Sequence, residues 1–63
     1  MPIKIKYVTI ESYLGEDEAL EQLERQFEQH KIVSVQEISR YESKQLRDTM
    51  CYKYLVAYKL KNV

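Results

Sequence analysis

The chain has 63 residues, 44% of them hydrophobic, with ten basic and ten acidic side chains and a net charge of zero. A length of this order makes one domain, which buries only ~60% of the surface its unfolded chain exposes. The usual staples are excluded, because one cysteine forms no internal disulfide and one His with one Cys falls short of a zinc site.

Met1 to Ile10 (MPIKIKYVTI) alternates with period two. Ile3, Ile5 and Tyr7 share one parity, and Lys4, Lys6 and Val8 the other, which predicts a strand whose apolar face carries the isoleucines. Pro2 has no N–H for a ladder, and lysines discourage pairing with other chains, so an edge position is expected.

Glu11 to Gly15 breaks the alternation. Gly15 is the only glycine and precedes Glu16, Asp17 and Glu18, so it reads as an N-cap with three acids complementing the helix dipole. Ser12 is the rival cap. From there Ala19, Leu20, Leu23, Phe27 and His30 fall within an arc of about 100°, the width of a core-facing stripe. His30 and Lys31 are expected near the C-terminus of this helix, where positive charge is favoured.

Ile32 to Tyr41 predicts a second strand. Its apolar parity switches between Val35 and Ile38, which signals a bulge or a strand covered on both faces. Glu42 to Thr49 is polar and lacks alternation; it predicts a connection, with a turn of helix as the alternative. Cys51 to Leu60 (CYKYLVAYKL) is the longest strand-like run. Tyr52, Tyr54, Val56, Tyr58 and Leu60 share one parity, while Cys51, Lys53, Leu55, Ala57 and Lys59 share the other. Usable apolar groups on both sides belong in the middle of a sheet.

The expectation is therefore a single α+β domain over residues 1–63, a βαββ unit. Its three-stranded antiparallel or mixed sheet has order 1-3-2, with one helix on one face. Leu20, Leu23 and Phe27 are expected to meet Ile3, Ile5, Tyr54, Val56 and Tyr58. The opposite face, left open, is expected to expose Val8, Leu55 and Ala57 framed by Lys4, Lys6, Lys53 and Lys59. These seven residues form the candidate interaction surface.

The pattern of Ile3–Val8, the stripe Leu20–Leu23–Phe27, and the runs Ile32–Ser39 and Tyr52–Tyr58 resembles the small sporulation-associated βαββ proteins of spore-forming bacilli and their phages. That resemblance implies a fold and a bacterial or phage setting, and it brings no established activity or site residues.

Little in the residues suggests catalysis. The only histidine lies on the helix stripe and reads as a helix-terminal contact, and the carboxylates crowd a solvated helix face. One glycine cannot build a phosphate-cradling loop. No enzyme, cofactor or metal is expected. No apolar run approaches the ~18 residues of a membrane span. The beginning of the chain lacks the apolar core of a signal peptide. A lone cysteine within a strand suits a reducing compartment, so a cytoplasmic protein with no membrane contact is expected.

Charge is unevenly spread: residues 11–30 hold seven acids and one base, and the remainder nine bases and three acids. An acidic helix thus stands beside basic strands. The six tyrosines read as core and interface material. The alternative is a stacking platform for bases with lysines on the phosphates. Against it, Lys53 and Lys59 lie on the parity opposite the tyrosines of their own strand. The functional expectation is a small non-enzymatic interaction module, a homo-oligomeric regulator or inhibitor, self-associating through the open face or edge to edge. A monomer that keeps its open face for another protein is the competitor, and nucleic-acid or nucleotide binding on the basic face is the alternative function.

Overall fold

The computed structural model describes residues 2–61, so the ends of the expected 1–63 domain, Met1, Asn62 and Val63, lie outside the described residues. The elements are β1 (Lys4–Ser12), α1 (Glu16–Gln26), β2 (His30–Glu42) and β3 (Met50–Leu60). They form the expected βαββ arrangement. β3 is central, pairing antiparallel with β1 on one side and β2 on the other, in the order β1-β3-β2.

Local chemistry explains the breaks. Gly15 is the N-cap, with φ 101° and ψ −175°, a region that is essentially glycine-only. Its carbonyl accepts the first helical bond, from the Ala19 amide at 3.2 Å. Ser12 is not the cap; its hydroxyl instead accepts the Leu14 amide at 3.2 Å and fixes the turn. At the other end Phe27 closes the helix, and the His30 amide donates to the Phe27 carbonyl at 2.9 Å. His30 therefore belongs to β2, opposite Leu60, and not to the helix terminus where its spacing had put it. Between β2 and β3 no helical turn forms. The Ser43 hydroxyl accepts the Gln45 and Leu46 amides and the Ser43 amide donates to the Thr49 carbonyl, which holds a loop.

The core is the layer between α1 and the sheet. Ala19, Leu23 and Phe27 pack on Val8 and Ile10 of β1 and on Tyr52, Tyr54 and Val56 of β3, with Ile32, Met50 and Tyr58 partly buried around them. This corrects one expectation. The parity of β1 that faces the helix is Val8, Ile10 and Ser12, whereas Ile3, Ile5 and Tyr7 are exposed. Register decides it, because Val8 stands opposite Tyr54 and Ile10 opposite Tyr52, and directly opposed residues share a face.

Helix length explains why the pattern misleads. Eleven residues span about 16 Å, while β1 runs about 26 Å between its ends. Leaving β1 through a tight turn, α1 covers only the half of the strand next to that turn. Lys4 and Lys6 extend past the cover on the helix side. Leu20 is likewise 37% exposed and not the core residue expected, while no residue of β2 is fully buried.

Candidate functional site

The uncovered side of the sheet is the candidate site. Pairing arranges it in rows across the strands: Glu11–Cys51–Tyr41, Thr9–Lys53–Ser39, Tyr7–Leu55–Gln36, Ile5–Ala57–Ser34, and Lys59–Lys31. β2 adds to it through two irregularities. The register shifts between Ile32 and Ser34 and again between Glu37 and Ser39, so Val33 and Ile38 are extra residues set beside Ser34 and Ser39. The parity switch in the sequence has this cause, and the two bulges add Val33 and Ile38 to the open side. Ile5 is 68%, Tyr7 62% and Val33 48% exposed, and Leu55 and Ala57 between them are half-buried.

Four of the seven anticipated interaction residues, Lys53, Leu55, Ala57 and Lys59, share this face. The other three do not. Val8 is buried under α1, and Lys4 and Lys6, of the same parity, project on the helix side. Ile5, Tyr7 and Val33 take their places. Ile5 and Tyr7 were visible as an apolar parity, but only the register with β3 could say which side of the sheet that parity occupies. Val33 needed the bulge.

Lys53 places its ammonium 5.2 Å from the centre of the Tyr7 ring, a cation–π contact that settles the charge over the apolar patch. Cys51 is a free, buried thiol within the Glu11 row. On the face under the helix, the Tyr54 hydroxyl is buried without a hydrogen-bond partner among the described residues. Burial first, then the neighbouring Glu37 charge, pushes its pKa up.

Where α1 does not reach β2, polar contacts join them. Arg40 donates to both carboxylate oxygens of Glu37, at 2.9 and 2.8 Å, and to Glu16 in the first helical turn. Its guanidinium lies 5.0 Å from the centre of the Tyr52 ring. The Arg40 hydrogen bonds hold the Glu37 carboxyl below the usual glutamate range, and the two carboxylates raise Arg40 further. Because the folded pKa of Glu37 is depressed, its contribution is present above the unfolded value and is lost as pH falls through the folded one. The melting-temperature gap between wild type and Arg40→Met should therefore narrow below about pH 4.5, as followed by circular dichroism from pH 7 to pH 3. A gap independent of pH would show that the ion pair contributes nothing.

His30 stands edge-on to Phe27 and Tyr58, with centroids 5.8 and 5.0 Å away, and its Nδ1 is buried without a partner among the described residues. Among the described residues, no group of three or more His, Cys, Asp or Glu is placed to hold a metal ion. No described helix is long and apolar enough to cross a membrane. No family model, curated protein or solved structure matches the chain.

Proposed function

We propose that this chain is a small non-enzymatic protein-interaction module, a regulator or inhibitor of bacterial or phage origin, that works by docking through the open face of its sheet. The observation that carries the reading is the contiguous patch of Ile5, Tyr7, Leu55, Ala57 and Val33, uncovered on one side of a three-stranded sheet. An apolar centre with Lys31, Lys53 and Lys59 around it has the composition of a protein contact surface, apolar at its centre and polar at its rim. The buried, free Cys51 suits a reducing cytoplasm. The bacterial or phage setting rests on the resemblance in strand and helix pattern.

Nucleic-acid binding is the second reading, favoured by the exposed Tyr7 and Tyr41 on the same side as the lysines. It is the weaker one. These two rings lie on opposite edge strands, roughly 16 Å apart by strand spacing and rise, too far to stack adjacent bases. Lys53 already occupies one side of Tyr7.

A photo-crosslinking amino acid separates the two. With p-benzoylphenylalanine in place of Tyr7, irradiation of cells expressing the chain should yield protein adducts. The same group at Glu24, on the solvated helix face, should not, and Leu55→Lys should abolish the adducts at position 7. Adducts to nucleic acid alone, or none at all, would overturn the proposal.

A further inference from the structure

We infer that the occupant of the open face is the same face of a second copy. The two sheets pack with their strands antiparallel, about a two-fold axis through the Leu55 row. This rests on the reading of that face as a protein-docking surface.

Three observations carry it. The first is area. The chain exposes 5024 Å², whereas a compact monomer of 7.6 kDa exposes about 4,300 Å². The surplus of about 700 Å² approaches the ~800 Å² that one partner contributes to a standard interface. The radius of gyration points the same way, at 12.6 Å against about 10.6 Å for a compact chain of this length.

The second is that both sheet edges are guarded. The outer edge of β1 follows Pro2, which has no N–H to offer, and carries Lys4 and Lys6. The outer edge of β2 is interrupted by bulges at Val33 and Ile38. Charge, proline and bulges all disfavour strand addition. The face is the surface left for association.

The third is self-complementarity. Along the strands the face is uneven in charge: Glu11 stands at one end, Lys53 lies over Tyr7 near the middle, and Lys31 and Lys59 stand at the other end. A two-fold axis in the interface plane and perpendicular to the strands stacks the Leu55 row on itself. It also sets the Glu11 end of each copy over the lysine end of the other. An axis parallel to the strands would bring the lysine ends together, a like-charge arrangement that disfavours it. The antiparallel sandwich closes after two copies and leaves both acidic helices outside.

Within one chain Glu11 and Lys59 cannot meet. Glu11 pairs with Cys51, and eight residues of strand place Lys59 about 26 Å away. Rescue between them can therefore arise only between copies. Sedimentation equilibrium across a concentration series should show a dimer. Glu11→Lys and Lys59→Glu should each weaken it by about tenfold, since each reversal acts twice per dimer. The double reversal should return the constant to within about threefold of wild type. Circular dichroism confirms folding, and Lys59→Gln replaces Lys59→Glu if that variant does not fold. A dimer that the double reversal fails to restore overturns the antiparallel arrangement. A folded monomer at high micromolar concentration overturns the second copy. In that case adducts at position 7 with some other protein leave the docking reading standing, and loss of all protein adducts removes both.

Discussion

Phe27→Ala is expected to leave the chain unfolded at room temperature. Phe27 is 6% exposed and stands edge-on to Tyr58 at 5.0 Å and to His30 at 5.8 Å, at the end of the helix stripe. Removing a buried phenylalanine costs ~3–5 kcal/mol in transfer and cavity terms. A core in a domain this small rarely supplies more than that in total. The position leaves little room for repair. Phe27 is both the last buried residue of the stripe and the C-cap of α1, so the cavity opens where the helix already ends. Far-ultraviolet circular dichroism and a thermal melt at low micromolar concentration check it. A variant that melts with the wild-type midpoint would show that the stripe does not hold the sheet.

The features legible in the sequence are those that depend on one element at a time. Gly15 before three acids marks the helix start, because only glycine adopts the conformation found there. The two apolar parities of Cys51–Leu60 mark the central strand, since both sides of it are packed or half-packed. The parity switch in β2 marks a bulge, and two are present. Features that depend on how elements meet were not legible. Nothing in Ile3-Lys4-Ile5-Lys6-Tyr7-Val8 states that α1 is too short to cover the beginning of β1. The alternation there is correct and its assignment to the helix side is not. His30 fits the helical arc at 100° per residue, yet Phe27 ends the helix first and the arc loses its meaning. The candidate site inherits both effects, keeping Lys53, Leu55, Ala57 and Lys59 from the strand that reads correctly. It exchanges Lys4, Lys6 and Val8 for Ile5 and Tyr7 on the strand whose parity is inverted.

That inversion predicts opposite outcomes for two neighbouring isoleucines. Ile10 is 2% exposed and faces Tyr52 under the helix, whereas Ile5 is 68% exposed and faces Ala57 on the open side. Ile10→Lys would have to bury an ammonium group within the hydrophobic core cluster that holds Tyr52, Tyr54 and Leu23. An uncompensated charge there is among the few changes that cost more than about 4 kcal/mol, so the variant should not fold. Ile5→Lys adds a charge to solvent one row from Lys59 and Lys31, and surface changes of this kind stay within about 0.5 kcal/mol. Its thermal midpoint, read at a concentration low enough that association contributes nothing, should match wild type. At high concentration the same substitution should weaken the dimer, because Ile5 lies one row from the proposed axis. If Ile10→Lys folded and Ile5→Lys did not, the helix would cover the other side of the sheet. Val8 would then return to the open face, and the docking surface would have to be rebuilt around it.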